Sequence, residues 1–311
     1  MRSPRALLAL LLLLLAAGVP AVGGPRPCRQ GWTKVGEEEF GAPFVLLRSQ
    51  GVTHDDTGWI FSWQGGLERT TPTYTTQALA TWPYDDVYQP SFDLDGTNHF
   101  GGTHIGDVDT IDGLIYAPLE DGEFDVGITT LNVPEYQQSF IELYDAKTLL
   151  YTGVRYPVPH ELSRDGVPWI AIDKTKREAY TGEWNMPTDT FNVFDLKMNV
   201  KRVLRLRYPD SFGTGFHLSR IQGGDIAGRT MYVARDDAQQ TIYGIDLVTG
   251  HVTPLFTMEW PEPSELEGIA VHPTPDGALV HVLLIKDNDL DDPRNLNKVR
   301  TSFQHFAPVC A

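Results

Sequence analysis

Phe92-Asp93-Leu94, Tyr144-Asp145-Ala146, Phe194-Asp195-Leu196 and Ile245-Asp246-Leu247 are four versions of one short motif. Their aspartates stand 52, 50 and 51 residues apart. A fixed period of this size marks a repeat architecture. Upstream of the aspartates runs a second motif, a short small-residue strand followed by a turn and a longer aromatic and β-branched strand. Gln50-Gly51-Val52-Thr53-His54-Asp55 precedes Gly58 to Trp63, and His104 to Asp109 precedes Gly113 to Ala117. Trp169 to Asp173 precedes Ala179 to Gly182, Gln222 to Ile226 precedes Arg229 to Val233, and Glu267 to His272 precedes Ala278 to Val282. Such runs read as strands. Gly and Ala suit the first strand to a crowded axis. The third strand ends at the repeating aspartate, and a fourth follows, for example His251 to Phe256. Four strands per unit make one propeller blade. The expected fold is an all-β propeller.

Five inner strands begin at Gln50, His104, Pro168, Gln222 and Glu267, so five blades are expected, with six open because Tyr144 to Trp169 is hard to parse. The fifth blade runs out of chain after a third strand near Thr301 to Phe306. The segment Trp32 to Leu47 has no inner strand of its own and can supply the missing fourth. Such closure removes exposed sheet edges. The only cysteines, Cys28 and Cys310, lie near the two ends. In an oxidising compartment they are expected to pair, closing the ring; two free thiols are the alternative.

The chain begins Met1-Arg2-Ser3-Pro4-Arg5, then an apolar run to Ala17 and small residues to Gly24. This is the pattern of a secretory signal peptide over 1–23, cut after Ala21 or Gly23, leaving a single domain over 24–311. The run is short for a membrane span. The protein is expected to be secreted or to sit in the lumen of the secretory or lysosomal pathway, as a monomer. Net charge is −16, and loss of Arg2 and Arg5 with the leader takes it to −18. So acidic a surface speaks against nucleic acid and anionic membranes.

The inner-strand pattern of a polar residue, Gly, an apolar residue, Ala or Gly, an apolar residue, then Asp or His resembles the gluconolactonase, paraoxonase and strictosidine-synthase-like propeller superfamily. Leu266-Glu267-Gly268-Ile269-Ala270 is the best single match. The resemblance implies an axial calcium ion and hydrolysis of lactones or esters, with Glu267 as a calcium ligand. The other blades depart from the family's acidic and asparagine set and offer Gln50, His104 and Gln222.

These four residues are the expected metal set, oxygen ligands suiting calcium and His104 suiting zinc or proton transfer. The alternative is that they line a water-filled channel and bond to one another. Among the residues deeper along the strands, His54 and Asp107 are the expected base and acid, with Asp55, Asp109, Asp173, Asp225 and His272 nearby in the pattern. Structural bonding of these aspartates to backbone is the competing reading. His99 with Phe100 to Thr103 reads as a loop at the channel mouth, and Asp287 to Asp292 as a solvated acidic loop. Trp59, Trp63, Trp82, Trp169 and Trp184 could stack on sugars but suit interblade packing. No nucleophile elbow, zinc helix or phosphate loop is present. Two functions therefore stand: a metal-dependent hydrolase of a small-molecule lactone or ester, or a non-catalytic propeller that binds protein or glycan on one face.

Overall fold

The computed structural model describes residues 31–42, 44–81, 104–120, 139–258, 264–275, 277–286 and 299–309. The signal peptide, Cys28, Cys310, Trp82, the Phe92-Asp93 motif, His99 and the 287–292 loop lie outside the described residues.

The fold is a five-bladed β-propeller. The chain enters through β1 (Trp32–Phe40) and one helical turn, α1 (Phe44–Leu47). Blade 1 is β2 (Gly51–Asp55), β3 (Gly58–Trp63), β4 (Gly66–Thr70) and β5 (Thr76–Thr81). Blade 2 is β6 (His104–Ile105) and β7 (Asp109–Ile111), both paired with β8 (Leu114–Glu120), then β9 (Ser139–Asp145) and β10 (Tyr151–Val158). Blade 3 is β11 (Ala171–Asp173), β12 (Glu178–Thr181), β13 (Thr190–Asp195) and β14 (Val200–Arg205). Blade 4 is β15 (Ile221–Ala227), β16 (Thr230–Arg235), β17 (Thr241–Asp246) and β18 (Val252–Thr257). Blade 5 is β19 (Ser264–Thr274), β20 (Gly277–Lys286) and β21 (Arg300–Pro308), completed by β1.

The expected closure is therefore present. Trp32 pairs with Pro308, Phe40 with Thr301, and Val309 donates to the Gly31 carbonyl at 2.9 Å.

The repeating aspartates have a turn-capping role. Asp145 accepts from the N–H groups of Lys147 and Thr148, Asp195 from Lys197 and Asn199, and Asp246 from Val248 and Thr249. Each carboxylate replaces backbone acceptors in the hairpin that leads to the outer strand. At Gly250 (φ +71°) a Cβ would lie 1.8 Å from the Arg205 carbonyl oxygen, so only glycine closes that turn. The motif marks blades 2, 3 and 4. In blade 1 the third strand is β4, which ends at Thr70 without an aspartate, so Phe92-Asp93 does not end that strand. Blade 1 finishes early because β3 and β4 join through only Gln64 and Gly65.

Among the described residues five buried hydrophobic clusters fill the spaces between successive blades. The blade 3–4 seam holds Trp169, Tyr180, Phe191, Val193, Ile221, Val233 and Ile245 among others. The blade 5–1 seam, where the ring closes, is built on Phe40, Val52, Trp59, Phe61, Leu283 and Phe303. Stacking sheet faces in this way hides the apolar side of every blade at once.

Candidate functional site

The axis is plugged at its middle by Asp107. The inner strand of blade 2 is interrupted between β6 and β7, and Asp107 turns its backbone to blade 3. Its N–H donates to the Pro168 carbonyl at 2.8 Å, and its carbonyl accepts from Ile170 at 3.2 Å. Its side chain faces the other three blades. Oδ1 accepts from the Val52 N–H (2.8 Å), and Oδ2 from Gly224 (3.0 Å) and, at longer range, Ile269 (3.4 Å). One residue thus bonds to all four neighbouring blades. Burial pushes its carboxyl well above the usual range, with the three N–H donors opposing and nearby Asp225 adding to the rise.

Three glycines complete the plug. A Cβ on Gly51 would lie 2.4 Å from the Asp107 Cα, and one on Gly268 would lie 2.6 Å from the Gly51 Cα. A Cβ on Gly223 would lie 2.7 Å from Asp107 Oδ2. Close packing of backbone at the axis explains the small-residue strands.

The plug separates the expected site residues into two groups. Gln50, His104, Gln222 and Glu267 occupy the end where the inner strands begin. His54 lies at the other end, four residues along β2 from Gln50, which is about 13 Å of extended strand. Expected base and expected metal set therefore do not share one site, and Asp107 sits between them.

At the strand-start end His104 is held on both sides. Its Nδ1 meets Glu120 Oε1 at 2.8 Å and its Nε2 meets Gln50 Oε1 at 2.5 Å. Glu120 Oε2 also accepts from the Val167 N–H at 2.6 Å. Gln222 reaches Glu265 Oε1 at 3.4 Å. Glu267 is buried, and burial followed by Glu265, Asp236 and Asp107 pushes its carboxyl well above the usual range. Among the described residues no three His, Cys, Asp or Glu side chains converge as metal ligands. Gln50, His104 and Gln222 are engaged with one another or with Glu120 and Glu265.

At the strand-end face a cavity of about 450 Å³ opens. Its walls include His54, Asp55, Thr110, Lys174, Ile226 and Val271. His54 Nε2 lies 3.2 Å from the Val271 carbonyl oxygen. A carbonyl only accepts, so this nitrogen carries the hydrogen and Nδ1 keeps its lone pair. Nδ1 has no partner among the described residues. Burial pulls the His54 pKa down, with Lys174 contributing and the Val271 carbonyl, Asp109 and Asp55 opposing. His272 stacks on the ring, with centroids 3.4 Å apart and planes 15° apart.

Lys174 lines the same cavity. Its ammonium lies 3.3 Å from Asp109 Oδ1, and Asp109, opposed by burial and helped by Asp225, raises its pKa. Asp109 itself accepts from Ile172 N–H (2.7 Å), Thr110 N–H (2.6 Å) and the Thr53 hydroxyl (3.2 Å). Asp225 accepts from Val271 and Ile226, both at 2.6 Å, and burial, then Asp109, lift its pKa to about 7 against the pull of Lys174. These aspartates are tied to backbone across blade seams, and Asp109 pairs with the Lys174 ammonium while Asp225 adds to the negative charge that favours it. Asp55 pairs with Arg69, and Asp173 caps the turn at Thr175 and Lys176.

Lys174 is the residue that sequence reading missed. It lies in an ordinary-looking turn, Asp173-Lys174-Thr175-Lys176, and only the ring brings that turn to His54.

No protein-family model and no curated protein sequence matches the chain. Solved structures with a similar fold include the GH43 protein BlXynB of Bacillus licheniformis, at 12% identity and TM-score 0.50, over 81% of this chain and 52% of that one. Hydrazine synthase of Kuenenia stuttgartiensis aligns at 13% identity and TM-score 0.41, over 77% and 56% of the two chains. A luciferin-regenerating enzyme aligns at 12% identity and TM-score 0.46, over 87% and 95%. The chain spans about half the length of the first two proteins. At these identities the likeness describes the fold alone.

Proposed function

We propose that this propeller is a hydrolase of a small lactone or ester, with its chemistry in the strand-end cavity and His54 as general base. The observation that carries this reading is the His54 imidazole: its Nε2–H is committed to the Val271 carbonyl, and its Nδ1 lone pair stands without a partner among the described residues, in a cavity that Lys174 also lines. In this scheme Nδ1 takes a proton from water as the oxygen attacks the carbonyl carbon. Lys174 stabilises the negative charge that forms on the carbonyl oxygen. The proton on Nδ1 then passes to the leaving alkoxide. Asp109 holds Lys174 in place, and Asp109 and Asp225 keep it charged.

A panel of lactones and nitrophenyl esters tests this. His54→Gln is expected to lower kcat/KM about 100-fold or more on any substrate found. Lys174→Met is expected to lower kcat with less effect on KM. Because the His54 pKa is lowered, the acid limb of the rate profile should fall below the ordinary histidine value of about 6.5. Full activity in His54→Gln would overturn the assignment. No turnover across the panel would favour the binding-module reading.

We also infer that the chain is exported and closed by a Cys28–Cys310 disulfide, supported by the leader pattern and by the pairing of β1 with β21. N-terminal sequencing of exported protein should begin at Val22 or Gly24, and intact mass should drop by two hydrogens against the reduced form. Retention of Met1 or two alkylatable thiols would refute this.

A further inference from the structure

An unbroken line of titratable rings crosses blade 5 from its outer part to the axis. Tyr74, in the blade 1 turn between β4 and β5, places its hydroxyl 3.3 Å from His305 Nε2. His305 Nδ1 lies 2.7 Å from His281 Nδ1, and His281 Nε2 lies 3.0 Å from His272 Nδ1. His272 stacks on His54 of blade 1. The line thus begins in blade 1, crosses β21, β20 and β19, and ends in blade 1 again. Trp59 of β3 packs edge-on to His272 and His281, with centroids 5.3 and 4.8 Å away.

Each N···N contact needs one nitrogen with a hydrogen and one with a lone pair. Neutral rings satisfy this in either direction along the chain. A protonated His281 would present a hydrogen on both sides, which is compatible only if both neighbours accept. Two adjacent protonated rings would set hydrogen against hydrogen and like charges 5.0 Å apart or less. Among the described residues no acid acts on the middle of the line. Of the four histidines, Glu38 and Glu37 of β1 act on His305, and Asp109 and Asp55 act on His54. Lys174 opposes charge on both His54 and His272. The charges that oppose protonation of His281 would be those of His305, His272 and His54. Tyr74 faces Glu38 and Arg48.

We propose that this line is an acid-released latch on the ring: it holds blade 5 to blade 1 while its rings are neutral and lets that seam open when they are protonated. Burial agrees with this geometry, because His281 is 4% exposed and must leave the seam to gain solvent. Its pKa is lowered to about 2, and that of His272 to about 4, by burial first and neighbouring rings second. Opening therefore takes up protons as soon as pH falls below the free-histidine value of about 6.5.

Hydrogen exchange of the whole chain, corrected for the intrinsic pH effect, tests the latch. For each proton taken up, the opening constant rises about tenfold per pH unit. Between pH 6 and pH 5, peptides covering 51–63, 267–286 and 300–308 should open about 100-fold more, with two protons taken up. Peptides covering 178–205 in blade 3 should not follow. His281→Phe, which keeps an aromatic ring in the seam, should reduce the response to about tenfold. An unchanged slope in that variant, or equal opening in blade 3, overturns the proposal. If the variant does not fold, nitrogen NMR of the wild-type imidazoles decides. Rings that stay neutral until the seam opens support the latch, and His281 titrating near pH 6.5 with the seam still protected overturns it.

Discussion

The seam between blades 3 and 4 and the seam between blades 5 and 1 solve the same packing problem with different chemistry. Among the described residues the first buries fifteen apolar side chains in one cluster, and the second buries seven. The closing seam makes up the difference with polar groups: the histidine line, and the N–H bonds from Val52 and Ile269 to Asp107. Apolar burial is indifferent to pH and tolerant of small shifts. Hydrogen-bonded rings and a buried carboxylate are neither. The ring should therefore be weakest, and most condition-dependent, where it closes.

The largest effect is expected from emptying the apolar seam. Trp169 is fully buried, stands edge-on to Phe191 at 5.4 Å, and covers Gly224, where a Cβ would come within 2.7 Å of its ring. Trp169→Ala should cost about 3–5 kcal/mol. That corresponds to a fall in Tm of roughly 10 °C for a domain of this size. The loss should be the same at pH 7 and pH 5. A pH-dependent loss would erase the distinction between the two seams.

Asp107→Asn comes next. The shape is kept, but one side-chain oxygen becomes an NH2 facing backbone N–H donors. Each stranded donor costs about 1–3 kcal/mol. Val52 and Ile269 belong to blades 1 and 5, so hydrogen exchange should rise there before it rises in blade 3. Uniform loosening of all five blades would show that Asp107 is a hub for the whole ring and not a compensation for its closing seam.

These two residues also show what the sequence reveals. Five inner strands, the closure by Trp32 to Leu47 and the third strand near Thr301 to Phe306 are readable because strand patterns and turn aspartates are local. The Phe92-Asp93 match at the same period misled, since spacing alone does not require a motif to end a strand. Asp107 reads as a catalytic acid because its surroundings are non-local: its partners Val52, Gly224 and Ile269 lie 55, 117 and 162 residues away. The histidine line was invisible for the same reason. His54, His272, His281 and His305 follow no common motif, and only the ring stacks them.

The smallest expected effect comes from the opposite end of the same closing blade, and it has the opposite sign. Glu267 is buried among Glu265, Asp236 and Asp107, and its pKa is raised. Its contribution is intact below the unfolded value of about 4.5 and is lost as pH rises toward the folded one. The seam histidines behave in reverse. Their pKa values are lowered, so their contribution is intact above about 6.5 and is lost as pH falls. Blade 5 should thus have a stability maximum between these limits. Glu267→Gln removes a buried ionisable group without changing its length, and should raise stability at pH 7 by about 1 kcal/mol. It should leave stability at pH 4 nearly unchanged, and it should flatten the alkaline side of the profile alone. His281→Phe should flatten the acid side alone. If Glu267→Gln instead destabilises the protein at pH 7, the carboxylate has a partner that stabilises its charge, and the strand-start end, not the His54 cavity, becomes the first place to look for a bound cation.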